Sequence, residues 1–337
     1  MGSVIDPAFW HERPVLVTGC TGLLGSWLTQ ALCDAGALVV GLIRDEVPQS
    51  LLITSGTVSR IRVVHGDVTD YATVERAINE YEVETVFHLA AQTIVGIANR
   101  SPLSTFETNI RGTWLTLEAA RRSPTVKRIV VASSDKAYGT QPVLPYTEAM
   151  PLQGLHPYDA SKSAADLIVQ TYANTYGLPV AVTRCANLFG GGDLNWNRLI
   201  PGTIRSALQG QRPIIRSDGT LVRDYLYVRD AVEAYLSLAQ ALRRDELYGE
   251  AFNCGTDGPA SVLEMTRHIL SVSPHPDLKP VVLNEAKNEI KDQYLDSAKM
   301  RDVIGWAPQY SRTEALRETM AWYADYLGIP YAEGGTH

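Results

Sequence analysis

Short apolar runs alternate with stretches of helical periodicity through the first half of the chain. Pro14-Val15-Leu16-Val17-Thr18-Gly19 is an apolar run closed by glycine, and Gly22 and Gly25 follow before a helical pattern from Ser26 to Ala35. A second run, Leu38–Ile43, starts after Gly36, and others lie at Arg62–His65, Thr85–Leu89, Arg128–Ala132 and Val180–Arg184. Strands that alternate with helices predict an α/β protein with a doubly wound, parallel, Rossmann-type sheet. After about Gly190 the pattern changes to short helices mixed with runs at Pro213–Arg216 and Leu278–Leu283. The expected organisation is a dinucleotide-binding domain over 1–190, rejoined by 229–256, and a smaller C-terminal α/β lobe over 191–228 and 257–330.

Composition narrows the classes. At 337 residues and 45% hydrophobic the chain can bury a large core, and its formal charge of −7 argues against a general nucleic-acid surface, which needs a basic stripe. Any phosphate site must be local. No window nears the roughly 20 consecutive apolar residues of a membrane helix, and no signal pattern opens the chain, so the expected location is the cytoplasm. Cys20, Cys33, Cys185 and Cys254 are scattered without a C-x-x-C pair, which predicts buried thiols and neither zinc nor disulfides.

Thr18-Gly19-Cys20-Thr21-Gly22-Leu23-Leu24-Gly25 sets glycines as G-x-x-G-x-x-G between a strand and a helix. The first permits a sharp turn, the second lets backbone approach a pyrophosphate, and the third lets the helix pack closely. The helix N-terminus adds N–H groups and partial positive charge. Gly66-Asp67-Val68 places a carboxylate for an adenine amine, and small residues in His88-Leu89-Ala90-Ala91-Gln92 let a cofactor lie against the sheet. His88 itself reads as hydrogen-bonded structure rather than a catalyst. After the second strand comes Arg44, which suits a 2′-phosphate and leans the cofactor to NADP, while Asp45 keeps NAD open.

Tyr158-Asp159-Ala160-Ser161-Lys162 opens a helix running to about Tyr176, so Tyr158 and Lys162 stand one turn apart on one face. A lysine ammonium beside a phenol favours the phenolate, which predicts a lowered Tyr158 pKa and a general base for a hydroxyl.

These pieces, with T-N-I-R-G-T at Thr108–Thr113, A-S-S-D-K-A-Y-G at Ala132–Gly139, R-C-A-N-L-F-G at Arg184–Gly190 and R-D-Y-L-Y-V at Arg223–Val228, resemble the extended short-chain dehydrogenase/reductase family over nearly the whole chain. The resemblance implies a catalytic trio of Ser134, Tyr158 and Lys162, with Tyr158 and Lys162 also touching the cofactor. It implies a nucleotide-diphosphate sugar held by the C-terminal lobe, and a homodimer formed through helices that include the one carrying Tyr158. The acidic and basic residues after the serine, Asp135 and Lys136, are similar to those of CDP-glucose 4,6-dehydratases, and H-L-A-A-Q is also similar to GDP-mannose 4,6-dehydratases.

The implied reaction is a 4,6-dehydration in which NAD or NADP is reduced and reoxidised each turnover, with Asp135 and Lys136 serving the loss of water. A 4-epimerase shares the cofactor and trio residues and remains the rival, with a non-catalytic NAD(P) sensor as a remoter one. For the substrate, Asn187 and Asn197-Arg198-Leu199-Ile200 match positions that hold phosphates or base, and Arg216 and Arg223 suit a diphosphate clamp. Trp306 reads as core.

Overall fold

The computed structural model describes residues 6–256, 258–285 and 290–331; the expected domain ranges also include residues 1–5, 257 and 286–289, which lie outside the described residues. Six strands, β1 (Pro14–Thr18), β2 (Leu38–Ile43), β3 (Arg62–His65), β4 (Thr85–His88), β5 (Arg128–Ser134) and β6 (Val180–Cys185), are joined by a seventh, Ala251–Cys254. All pair in parallel, in the order 251–254, β6, β5, β4, β1, β2, β3. The order reverses between β1 and β4, and ligands of open parallel sheets bind in the crevice outside the strand ends at such a point.

The central strands are covered on both faces, which is why they read as unbroken apolar runs rather than alternating ones. One face packs into a core that contains Trp10, Leu28, Phe87, Tyr235 and Phe252, and the other into a core of Leu16, Val74, Ile78, Leu117 and Val169. The helix Leu23–Asp34 begins three residues earlier than its periodicity suggested, because Gly22 serves as its N-cap and the glycine-containing first turn is already helical.

The helix Val228–Ala241 returns to pack on Leu23–Asp34. Beyond β6 the smaller lobe holds the helices Leu199–Leu208 and Val262–Ser271 and several two-residue strands. Val222–Arg223 runs antiparallel to Ala260–Ser261 and parallel to Asp292–Gln293, and Ile214–Ile215 pairs with Val281–Val282. The helix Arg312–Leu327 packs on Leu199–Leu208. Trp306 is fully buried and donates its indole N–H to the carbonyl of Asp230, as core packing requires. No helix among the described residues is long and apolar enough to cross a membrane.

Candidate active site

At the C-terminal end of β1 the chain turns at Gly19, whose φ of +71° lies in the left-handed region. A Cβ there would sit 2.8 Å from the amide nitrogen of Ala90, and one on Gly25 would sit 2.1 Å from the Gly19 carbonyl oxygen. Both glycines are therefore required by close backbone approach. Gly22 caps the Leu23–Asp34 helix with no side chain, so the first-turn N–H groups of Leu23 and Leu24 are left for a ligand. This cradle, with Thr21 beside it, fits a dinucleotide pyrophosphate.

The adjoining floor is held by one continuous hydrogen-bond chain. The Thr18 hydroxyl oxygen accepts from the amides of Leu89 (3.1 Å) and Ala90 (3.2 Å), so its proton goes to His88 Nδ1 at 3.0 Å. The Thr113 hydroxyl donates to the carbonyl of Asn109, so its oxygen accepts from His88 Nε2 at 3.1 Å. His88 is thus neutral with its proton on Nε2, and burial, assisted by Lys162, pushes its pKa down to about 3. Gln92 donates its amide to Asn109, whose side-chain nitrogen bonds Ser161 on the catalytic helix at 2.9 Å. At the adenosine end Arg44 is ion-paired with Asp45 at 2.7 Å and lies 3.7 Å from Asp67, beside Val68. The arginine expected for a 2′-phosphate is already matched by two carboxylates.

Ser134 ends β5, and Asp135 and Lys136 begin the tight turn after it. Ser134 accepts from the Lys136 amide and donates to Asp135 Oδ1 at 2.9 Å. Asp135 is 2% exposed, and its Oδ2 is buried without a hydrogen-bond partner. Burial raises its pKa, because desolvation disfavours the charged form, against the pull of Lys136, Ser134 and Arg223.

Tyr158 and Lys162 are buried on the first turns of the helix Pro157–Tyr176. Lys162 Nζ donates to the Ala132 carbonyl at 2.7 Å and lies 6.0 Å from the centre of the Tyr158 ring. The expected lowering of the phenol pKa is corrected here: burial pushes Tyr158 up to about 12, opposed by a hydrogen bond with Ser134, and pushes Lys162 down to about 8. Desolvation outweighs a lysine that is aimed at a backbone carbonyl.

On the substrate side, Asn187 sits at the start of a strand running parallel to Tyr225–Tyr227. Asn197 accepts from Arg216 at 2.8 Å, and Arg198 pairs with Asp193 at 3.0 Å. Leu199 and Ile200 open a helix whose N-cap, Arg198, makes no side-chain cap, so its first amides are left for an anion. Arg223, expected as a clamp, is buried at the cavity wall and donates to the carbonyls of Val222, Ile290 and Lys291.

All of the expected cofactor, catalytic and substrate residues line one cavity of about 1480 Å³, larger than the roughly 300–1,000 Å³ that one small ligand fills. Two further residues carry the site. Asn109 ties Gln92 to Ser161; it was visible inside T-N-I-R-G-T, but as a motif letter without a role. Gln293, whose side-chain oxygen takes the Lys136 ammonium at 3.1 Å, had no local signal at all. Among the described residues no cluster of His, Cys, Asp or Glu could hold a metal ion.

A family model described as the NAD dependent epimerase/dehydratase family matches residues 15–255. The chain is 31% identical to CDP-glucose 4,6-dehydratase from Salmonella typhimurium over 96% of its own length and 94% of the relative's. Among solved structures it is similar to an epimerase from Methanothermobacter thermautotrophicus, with a TM-score of 0.87 at 28% identity and 96% of each chain covered. It is also similar to dTDP-glucose 4,6-dehydratase from Streptomyces venezuelae with NAD bound, with a TM-score of 0.82 at 28% identity, covering 94% of this chain and 98% of that one.

Proposed function

Because the chain belongs to the NAD-dependent epimerase/dehydratase family, we propose that it is a nucleotide-sugar 4,6-dehydratase, converting a nucleotide-activated hexose to its 4-keto-6-deoxy form. Asp135 carries this reading. Hydroxide is a poor leaving group, so loss of the C6 hydroxyl needs a proton donor. A carboxyl buried beside the trio, raised in pKa and with one oxygen unpartnered, is suited to that work. A 4-epimerase, which turns the keto intermediate over without eliminating water, has no use for it.

The nicotinamide cofactor, when bound, supplies the hydride acceptor and donor. Tyr158 takes the proton of the C4 hydroxyl, and Ser134 hydrogen-bonds the same oxygen. The 4-ketone acidifies C5–H, whose proton passes to Lys136 in its amine form as Asp135 protonates the departing C6 hydroxyl, so the elimination uses both members of the pair. With Arg44 matched by Asp45 and Asp67, the finer choice falls to NAD; affinities for NAD and NADP in wild type and Arg44→Ala test it, and a selective loss of tight NADP binding in the variant would reverse it.

Leu103 (73% exposed), Leu155 (84%) and Leu167 (53%) stand open on or next to the helices around Tyr158, which supports a homodimer through that face, checked by sedimentation of wild type and Leu167→Asp. The four cysteines are free, which fits a reducing compartment such as the cytoplasm. The deciding experiment incubates the protein with CDP-, GDP-, UDP- and dTDP-hexoses. Product lighter by one water is expected, whereas a C4-inverted sugar of unchanged mass would make the protein an epimerase.

A further inference from the structure

Gln293 lies 157 residues from Lys136 in sequence, yet its side-chain oxygen takes the Lys136 ammonium at 3.1 Å. The assignment of oxygen and nitrogen follows from chemistry: an ammonium only donates, so the amide must present its carbonyl. Gln293 is 0% exposed, while Lys136 is half-buried at the cavity wall.

The backbone under Gln293 is fixed from two sides. Asp292–Gln293 pairs with Val222–Arg223, and the Arg223 guanidinium holds the carbonyls of Ile290 and Lys291. On the other flank Tyr146 donates its amide to the Tyr294 carbonyl and accepts from the amide of Asp296. A rigid, buried carbonyl thus meets the end of a long and otherwise mobile side chain. Asp135 and Asp159 are the carboxylates whose charges act on Lys136, but neither is hydrogen-bonded to it in the way Gln293 is. Two buried polar atoms in this cluster, Asp135 Oδ2 and Gln293 Nε2, lack hydrogen-bond partners among the described residues. Such atoms are costly in a packed interior, and their pairing here suits a polar guest.

We propose that Gln293 is a positioning residue of this site: its carbonyl holds the Lys136 ammonium beside Asp135, so that one strand of the C-terminal lobe completes the dehydrating pair carried by the Rossmann sheet. What Lys136 then does rests on the dehydratase reading. What Gln293 does to Lys136 does not.

The test uses the full chain as wild type, Gln293→Met, Gln293→Glu, Lys136→Met and the Lys136→Met/Gln293→Met double variant, with cofactor and a nucleotide hexose that wild type accepts. Methionine matches the length and has no strong acceptor. It is expected to slow water loss by about 10²-fold, as a misplaced catalytic group does, while C4 oxidation continues, so that reduced nicotinamide accumulates at its own absorbance. Glutamate keeps an oxygen acceptor and should restore most of the rate. The double variant should be no slower than Lys136→Met, because the two residues act as one.

A second readout needs no turnover. Trace acetylation followed by peptide mass spectrometry should find Lys136 several-fold more reactive in Gln293→Met than in wild type, with Lys162 unchanged. Undiminished water loss in Gln293→Met, a glutamate variant as slow as the methionine one, or additive effects would each overturn the proposal. If wild type loses no water from any sugar, the dehydratase reading falls by itself. Labelling then decides alone, with a rise keeping Gln293 as the residue that holds Lys136 and no rise discarding it.

Discussion

Replacing His88 by glutamine removes the only titratable group in the Thr18–His88–Thr113 chain, and the consequence is a change in how stability depends on pH. In the folded protein His88 has a pKa of about 3, against 6.5 for an unperturbed histidine. Between those values the unfolded chain binds the proton and the folded chain does not, so stability falls as pH falls through 6.5 and the loss levels off below about 3. At pH 5 the difference of about 1.5 pH units from the unfolded pKa corresponds to roughly 2 kcal/mol, and at pH 7 to only about 0.2 kcal/mol.

Urea denaturation of wild type and His88→Gln at both pH values measures the difference. The variant starts less stable, because the Thr18 and Thr113 bonds are imperfectly remade, but its decline from pH 7 to pH 5 should be smaller than wild type's by about 2 kcal/mol. Asp230, raised to about 6 by burial, titrates in the same window with the opposite sign; it does so in both proteins and cancels. Equal declines would mean that His88 is not held neutral in the fold, and the hydrogen-bond chain under Leu89 and Ala90 would have to be redrawn.

Other substitutions probe the buried core and the site. Asp166→Ala leaves the buried Arg184 guanidinium without the carboxylate it contacts at 2.8 and 2.9 Å, and should cost about 3–5 kcal/mol in denaturation. Tyr158→Phe keeps the ring and should retain cofactor affinity by titration while slowing C4 oxidation by about 10²–10⁴-fold; near-normal turnover would remove Tyr158 as the base. Asp135→Asn should leave C4 oxidation visible as reduced nicotinamide while product lighter by one water disappears, and normal product would remove Asp135 as the acid.

The parts legible in the sequence were those whose physics is local. Gly19, Gly22 and Gly25 are read from spacing, because one turn and one helix start need all three. Five of the six strands from Pro14 to Cys185 are read from apolar runs because they are covered on both faces, while the edge strand β3, with Arg62 and His65 exposed, is read only from Val63-Val64 and its place in the alternation. The two-residue strands Val222–Arg223, Ala260–Ser261 and Asp292–Gln293 are too short to carry any period. Gln293 reaches the site only through them, so neither they nor it could be seen. Arg44 and Arg223 show a different limit. Residue type says that a guanidinium seeks oxygen, but not whether the oxygen is a ligand's phosphate, a neighbouring carboxylate or a backbone carbonyl; only the structure shows Arg44 beside Asp45 and Arg223 on backbone carbonyls.

Tyr158 and Lys162 carry that limit into the chemistry. Their spacing on one helix face was read correctly as proximity, and proximity alone argues for a lowered phenol pKa. Yet the same helix buries both groups, and burial acts on each in the direction that disfavours its charge. The Lys162 ammonium donates its hydrogen bond to Ala132 and lies 6.0 Å from the centre of the Tyr158 ring. A phenol held near 12 is a strong base once ionised but is rarely ionised at neutral pH. Ser134 stands between the residues assigned to oxidation and to dehydration: it opposes the rise of the Tyr158 pKa and donates to Asp135 Oδ1.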